Sequence, residues 1–201
     1  MILDLHVPVS TMELIGKVQA AFPNHAVLLA GGYLRDLYRG SKPKDIDIFL
    51  TPNRKVPKDE SPAARAVAMR KLWEAIGVGA YRVTDASNYC PEIADRGIDY
   101  IMYFQPKGML ELNIMLCDRP MDAYDLAATF DYTVNQVVMT TAGTVVVTQE
   151  FLDDFEDKKL RLTYPTQGNP FVEERLLKFM RKFPDFTLIA TFGEDQFSFG
   201  D

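Results

Sequence analysis

The chain has 201 residues, of which 47% are hydrophobic and 25% are charged, a composition typical of one packed globular domain with or without a small appendage and not of a disordered chain. Its 22 basic and 28 acidic residues give a net charge of −6, which argues against binding duplex nucleic acid mainly by neutralising many phosphates. Because the sequence has only two cysteines and no CxxC motif, we expect no disulfide scaffold. It has no basic leader and no apolar run near ~18 residues, so we expect no membrane span and a cytoplasmic location.

The first half of the sequence alternates between helical and strand patterns. Ser10, three residues before Glu13, predicts a capping box at the start of the first helix. The apolar run before Gly31–Gly32 predicts a strand, a tight turn and a helix. The predicted elements are a helix at 10–22, a strand at 25–30, a helix at 33–38, a strand at 45–50, a loop at 51–62 and a helix at 62–76.

The second half predicts further strands and then a helical end. The predicted elements are a hairpin of strands at 98–104 and 109–116, a short helix at 121–128, paired strands at 131–140 and 144–148, a helical stretch from 151 and a helix at 171–183. Alternation along 131–140 would place Asp131, Thr133 and Asn135 on one strand face. We therefore expect an α/β fold, with a mixed sheet and flanking helices in residues 1–150 and a short helical appendage in residues 151–201.

Two short motifs carry chemistry. Gly31–Gly32 at a strand-to-helix turn lets backbone N–H groups approach a phosphate without an intervening Cβ. Twelve residues later, Asp45 and Asp47 alternate with Ile46 on a strand, so both carboxylates point to one side and can bind the same divalent cations. Such ions activate an attacking hydroxyl and neutralise charge on a phosphoryl group.

Each motif alone also has a plain structural interpretation. A glycine pair is commonly a turn, and an Asp-x-Asp pair is commonly a solvated strand edge; their combination in this order is much rarer. Glu111 is the candidate third carboxylate, since it shares a strand face with Met109, Asn113 and Met115. The alternative for Glu111 is a carboxylate at the rim of the site.

The motifs resemble a known family. LAGGYLRD at 29–36 and KDIDI at 44–48 are similar to the signature of the polymerase-β-like nucleotidyltransferases, in particular the head domain shared by bacterial poly(A) polymerases and CCA-adding tRNA nucleotidyltransferases. FDYTVN at 130–135 resembles that family's RDFTIN motif. FED at 155–157 and RLLKFMR at 175–181 resemble its EDL segment and its neck helix.

The resemblance implies transfer of a nucleoside monophosphate from a nucleoside triphosphate to a hydroxyl, with Mg²⁺ or Mn²⁺ as cofactor and release of pyrophosphate. It implies that Gly31, Gly32 and Arg35 contact the triphosphate. Asp45 and Asp47, with Glu111 as the added candidate, would be the catalytic metal ligands. Asp131 and Asn135 would lie near the ribose of the incoming nucleotide.

Arg175, Lys178 and Arg181 recur every three residues on the last predicted helix, so they lie along one side of it. They are either solvated surface charge or a basic stripe that faces the triphosphate or a polynucleotide acceptor. The second interpretation places them among the nucleotide-binding residues.

The sequence also departs from the family pattern. Phe130 stands where the family places an arginine, and the acidic base-reading pair of the CCA-adding enzymes falls at Phe171 and Val172. The chain ends about twenty residues after the last helix. We therefore expect a minimal form of the family without the tRNA-gripping body and tail.

Several functions fit these motifs. The leading hypothesis is nucleotidyl transfer to an RNA end, most directly a tRNA 3′ end, in a tRNA-processing role. A protein or small-molecule acceptor and a toxin-like activity are alternatives within the same chemistry. A non-catalytic nucleotide- or RNA-binding module would explain Phe130. A nucleotide-sugar glycosyltransferase with its own Asp-x-Asp motif would not require the glycine turn.

Overall fold

The computed structural model describes residues 1–53, 67, 70–74, 76–85, 97–106, 108, 110–163 and 170–190. Its strands are β1 (Ile2–Leu3), β2 (His25–Ala30), β3 (Asp45–Pro52), β4 (Val78–Asp85), β5 (Ile98–Pro106), β6 (Glu111–Cys117), β7 (Val137–Thr140), β8 (Val145–Val147), β9 (Lys159–Leu162) and β10 (Thr187–Ala190). Its named helices are α1 (Val9–Ala21), α2 (Gly32–Tyr38), α3 (Ala123–Ala128), α4 (Gln149–Glu156) and α5 (Pro170–Lys182), with a 3₁₀ turn at Thr133–Asn135. Residues 70–74 are also helical.

Eight strands form one mixed sheet in the order β1-β8-β7-β2-β3-β6-β5-β4. β3 runs antiparallel to β2 and parallel to β6. These three strands, from separate parts of the sequence, lie side by side in the centre of the sheet. β9 and β10 form a separate parallel pair. The α/β fold with a mixed sheet, flanking helices and a C-terminal helix is confirmed.

Alternation along β3 divides its side chains between the two faces of the sheet. Ile46, Ile48 and Leu50 belong to the larger core, which includes residues of α1, α2 and α4. Phe49 belongs to a smaller core, which includes residues of α3. Because Asp45 and Asp47 share the odd-numbered face with Phe49, they lie on the side of the sheet away from the larger core.

The predicted capping box of the first helix is wrong. α1 begins at Val9, one residue before Ser10, and its N-cap position is Pro8, with no side-chain hydrogen bond. Ser10 therefore lies inside the first turn and has non-cap backbone geometry. Side-chain caps do occur at two other helices, where Asp122 caps α3 and Thr148 caps α4.

The predicted strand at 131–140 is correct only in its second half. Residues Val137–Thr140 form β7, but Thr133–Asn135 is a 3₁₀ turn and Tyr132 makes an isolated bridge to Leu162. The single strand face for Asp131, Thr133 and Asn135 is therefore wrong. Their side chains are buried and bind three different partners, which the local turn geometry allows and a straight strand would not.

Other predicted elements match well. The strand at 25–30, the helices at 33–38, 121–128 and 171–183 and the hairpin of β5 and β6 are present with shifts of a few residues at their ends. β3 runs on to Pro52, and most of the predicted loop at 51–62 and helix at 62–76 lies outside the described residues. β1, β4, β9 and β10 were not predicted.

The division of the chain at residue 150 stays a prediction. Phe151 of α4 belongs to the larger core of the main sheet. A third core joins Tyr132 and Val134 to Phe179 and Phe183 of the C-terminal part, and the rings of Tyr132 and Phe179 stack at 4.2 Å. Across the described residues, none of the helices is both long and apolar enough to cross a membrane.

Candidate functional site

The glycine turn between β2 and α2 lies against the two aspartates. Gly31 has φ +70°, a conformation that favours glycine, and a Cβ at this position would lie 3.4 Å from Cε1 of Phe130 and 3.9 Å from Oδ2 of Asp47. A Cβ on Gly32 would lie 3.9 Å from Oδ1 of Asp45. The missing side chains therefore keep open the space directly beside both carboxylates.

Asp45 and Asp47 lie at the start of β3, and the parallel pairing with β6 places Glu111 beside Asp45 and Asn113 beside Asp47. Nδ2 of Asn113 donates a hydrogen bond to Oδ1 of Asp47 at 2.9 Å. Burial, and next the negative charge of Asp45, raise the pKa of Asp47 to about 6, although the hydrogen bond from Asn113 acts in the opposite direction. The structure therefore holds the carboxylates of Asp45 and Asp47 side by side, although the charge on each opposes ionisation of the other.

The donor set fits a hard divalent cation such as Mg²⁺ or Mn²⁺, which binds oxygen ligands. A cation would relieve the repulsion between Asp45 and Asp47. Oδ1 of Asn113 is buried and accepts no hydrogen bond from any described residue. No group of three or more His, Cys, Asp and Glu side chains in the described part of the chain is placed to hold a metal, and Glu111 is exposed. Glu111 as a third ligand stays a prediction.

Arg35 is buried below this turn. Its Nε donates to Oδ1 of Asp36 at 2.9 Å and its Nη1 donates to Oδ1 of Asn135. The guanidinium lies 5.4 Å and 5.5 Å from the ring centroids of Phe179 and Phe183, and burial lowers its pKa. Arg35 and Asn135, both predicted to contact nucleotide, thus contact each other in this structure, and their nucleotide-binding roles stay predictions.

Asp131 and Arg175, two further predicted site residues, form an ion pair. Nε of Arg175 lies 2.7 Å from Oδ2 of Asp131, and its Nη2 donates to Oδ1 at 3.2 Å. Asp131 is buried and Arg175 is 44% exposed in its side chain. Arg175 and Arg35 both act electrostatically on Asp47, so this pair borders the carboxylate site.

Lys178 and Arg181 lie exposed on α5. The next residue along, Lys182, turns inward instead, and its Nζ lies 2.6 Å from Oδ2 of Asp36. The three predicted basic residues therefore differ, since Arg175 borders the site while Lys178 and Arg181 face solvent. Their binding roles stay predictions.

Sequence reasoning missed two features of this region. Asn113 shares the strand face predicted for Glu111, but its hydrogen bond to Asp47 depends on the parallel register of β3 and β6. Asp154 is fully buried and accepts hydrogen bonds from Thr133 and from Nε and Nη2 of Arg161. The buried carboxylate of this segment is Asp154, whereas Glu156 and Asp157 of the FED motif are exposed.

Comparison with protein-family models and with curated proteins gives no match. Solved structures do match. A tRNA-processing enzyme in its apo form is 20% identical, with a TM-score of 0.62 over 93% of this chain and 46% of that chain. The Thermotoga maritima CCA-adding enzyme complexed with tRNA is 20% identical, with a TM-score of 0.58 over 94% and 41%. A CCA-adding enzyme with CTP is 18% identical, with a TM-score of 0.58 over 91% and 40%.

The chain spans less than half the length of these matched chains. At this level of identity the likeness is one of fold. The chain has the fold of the head region of CCA-adding tRNA nucleotidyltransferases.

Proposed function

We propose that this protein is a metal-dependent nucleotidyltransferase, which moves a nucleoside monophosphate from a nucleoside triphosphate to a hydroxyl acceptor and releases pyrophosphate. The observation that carries the proposal is the contact between the glycine turn and the paired aspartates. A Cβ on Gly31 or Gly32 would come within 3.9 Å of a carboxylate oxygen of Asp47 or Asp45. The N–H of Gly31 donates to the carbonyl of Val137 at 3.1 Å, so the N–H of Gly32 is the amide of the turn proposed for a phosphate, beside the carboxylates proposed for cations.

In this proposal Asp45 and Asp47 hold Mg²⁺ or Mn²⁺, with Glu111 as an added ligand. When bound, the ions neutralise phosphate charge and make the acceptor hydroxyl a better nucleophile. Asn113 fixes the Asp47 carboxylate through its hydrogen bond. The absence of side chains at Gly31 and Gly32 admits the triphosphate beside the carboxylates, where its negative charge is favourable only with the cations present.

Arg175 is the basic residue best placed to respond to the triphosphate. Its guanidinium is partly exposed and already binds a carboxylate, Asp131, at 2.7 Å. Two oxygens of a phosphate group offer the same bidentate acceptor geometry as that carboxylate. We infer that Arg175 exchanges between Asp131 and the nucleotide, and that Arg35 supports the turn from below.

We propose an RNA 3′ end as the acceptor, most directly that of a tRNA. The support is the fold shared with a CCA-adding enzyme solved with tRNA and others solved with CTP and ATP. A cytoplasmic location is part of the same proposal.

Incubation with each labelled nucleoside triphosphate, Mg²⁺ or Mn²⁺ and total cellular RNA or protein tests the function. Wild-type protein should label RNA, and Asp45→Asn and Asp47→Asn should lose this labelling. Asp4→Asn, which removes an exposed carboxylate near the N-terminus, is the matched control and should keep it. Folded protein that neither binds a nucleoside triphosphate with metal nor labels RNA or protein would refute the proposal.

Phe130 favours a second candidate, a nucleotide- or RNA-binding module without turnover. Its ring packs edge-on against Phe49 at 5.7 Å and lies beside Gly31, where the family resemblance implies an arginine. Without the positive charge of that arginine, stabilisation of the phosphoryl group during its transfer is weakened more than nucleotide binding is. Metal-dependent binding with no transfer to any acceptor is the result that would favour this candidate.

A further inference from the structure

The carboxylate of Asp36 binds two cations, one on each of its oxygens. Nε and Nη2 of Arg35 both contact Oδ1, at 2.9 Å and 2.8 Å. Nζ of Lys182 donates a hydrogen bond to Oδ2 at 2.6 Å. Because Asp36 is 2% exposed, these protein groups and not bulk water satisfy its carboxylate. Asp36 therefore joins α2 to the last residue of α5.

The geometry around Asp36 depends on Lys182. An arginine and a carboxylate favour two parallel hydrogen bonds, each to a different oxygen. In this structure the two nitrogens of Arg35 share Oδ1, and Lys182 holds Oδ2. Without Lys182, Oδ2 would lose its donor while buried, which is costly, and the guanidinium would gain by rotating toward it. Lys182 therefore favours the observed position of Arg35.

The guanidinium of Arg35 lies beneath the glycine turn. Its Nη2 lies 3.4 Å from the position that a Cβ on Gly32 would take, and its Nη1 donates a hydrogen bond to Oδ1 of Asn135. The same Cβ position lies 3.9 Å from Oδ1 of Asp45. Gly32, whose N–H is proposed for a phosphate, thus lies between Arg35 and the carboxylate site. Because a guanidinium is planar and rigid, its rotation toward Oδ2 of Asp36 would change the contacts with Gly32 and Asn135 together.

One face of α5 contacts this group of residues. Phe179 and Lys182 are three residues apart and so lie on the same side of the helix. The centre of the Phe179 ring lies 5.4 Å from the guanidinium carbon of Arg35, and Lys182 holds Asp36. Arg175, one turn before Phe179, borders the carboxylate site. The same helix face therefore reaches both the margin of the site and the residues beneath its glycine turn.

We propose that Lys182 is a positioning residue of the nucleotide site, which fixes Arg35 beneath the glycine turn by holding Oδ2 of Asp36. Its ammonium is engaged by a buried carboxylate, so Lys182 acts through Asp36 and Arg35 and not by contact with the nucleotide. The inference rests on the proposed function and adds to it a residue that none of the sequence motifs indicates.

Calorimetry of nucleotide binding without an acceptor tests this role, with ATP, CTP, GTP and UTP as probes, each with Mg²⁺. Lys182→Met removes the ammonium, keeps most of the apolar chain and leaves Asp36 paired with Arg35. It should weaken binding about tenfold, the effect of one hydrogen bond to a charged group. Lys182→Arg keeps a charged donor for Oδ2 and should bind nucleotide as wild-type protein does.

Asp185→Asn is the matched control, because it breaks another ion pair between α2 and the residues that follow α5. Oδ1 of Asp185 lies 3.2 Å from Nη2 of Arg39, the C-cap residue of α2, and both side chains are partly exposed. This variant should leave nucleotide affinity unchanged. All variants are compared at equal folded fraction by thermal melting. A residue that only stabilised the fold would change the melting temperature but not the affinity of the folded protein.

Asp36→Asn distinguishes positioning from direct contact with the nucleotide. In the Asp36→Asn background, Lys182→Met should change nucleotide affinity little, because the carboxylate through which Lys182 acts is gone. An equal loss of affinity in both backgrounds would mean that Lys182 touches the triphosphate itself and would overturn the positioning role. The comparison of Lys182→Met with Lys182→Arg and Asp185→Asn decides the matter if Asp36→Asn does not fold.

The outcomes distinguish the two proposals. Wild-type protein that binds none of the four nucleotides with Mg²⁺ would refute the proposed function and, with it, the role of Lys182. Wild-type protein that binds nucleotide, with the same affinity in folded Lys182→Met protein, would refute the positioning role alone. Weakened binding in Lys182→Arg to the same degree as in Lys182→Met would contradict it as well.

Discussion

Replacing Asp47 with asparagine should make the metal-free protein more stable. The pKa of Asp47 is raised from 3.8 to about 6 because the carboxylate is buried and lies beside the charge of Asp45. A raised folded-state pKa means that the folded protein holds a proton that the unfolded chain releases, so stability falls as pH rises between about 4 and 6. The full difference corresponds to about 3 kcal/mol at pH 8, and partial solvent exposure reduces the expected gain to roughly 1–3 kcal/mol.

Urea unfolding in EDTA at pH 8 and pH 4 measures this effect. Asp47→Asn keeps an oxygen that accepts the hydrogen bond from Asn113, so the substitution changes charge with little change in shape. Its advantage should be present at pH 8 and small at pH 4, where wild-type Asp47 is protonated when folded. Millimolar Mg²⁺ should stabilise wild-type protein more than the variant, because the ion binds the folded carboxylate pair. An Asp47→Asn protein no more stable than wild type at pH 8 would refute the repulsion argument.

Two further predictions use matched pairs of substitutions. Gly31→Ala and Gly40→Ala both place a side chain on a backbone with φ near +70° and should each cost at least about 1 kcal/mol. Gly31, with ψ −130°, also lies outside the left-handed helical region. Only Gly31→Ala meets the phenylalanine ring beside the site, so only this variant should lower nucleotide affinity as measured by calorimetry. Arg161→Ala should lower the free energy of unfolding measured in urea by about 2 kcal/mol, because it leaves the buried carboxylate of Asp154 without its cation. Lys159→Ala removes an exposed ion pair and should change this free energy little. Equal nucleotide affinity in both glycine variants, or equal stability in both cation variants, would contradict these arguments.

Much of the fold could be predicted because its central elements have regular patterns. The apolar run of β2, the glycine turn and the alternation of β3 are local signals, and the structure has each of them in place. The segment from Asp131 to Asn135 was predicted incorrectly for a non-local reason. Its alternating sequence resembles a strand, but the hydrogen bond from Thr163 N to the carbonyl of Asp131 and the partners of its buried side chains hold it in a turn.

Pairings across long sequence distances could not be predicted. β4 and the β9–β10 pair depend on neighbours far along the chain for their hydrogen bonds, and β9 and β10 are only four residues long each. The sequence does place Asp45 and Asp47 on one strand face. It contains no signal that Asn113 would lie beside Asp47, because that contact is fixed by the parallel register of β3 and β6.

The contacts of the charged residues around the site also join residues that are far apart in sequence, so they could not be predicted either. Arg35 and Asp36 adjoin the glycine turn in sequence, yet in the structure they contact Phe179 and Lys182 of α5 and Phe183, which follows it. Buried charges are costly unless they are paired, so these contacts favour the observed position of α5 as well as that of the turn. The C-terminal helix is therefore part of the site's support. A change in the position of α5 would be transmitted to the turn through the buried arginine.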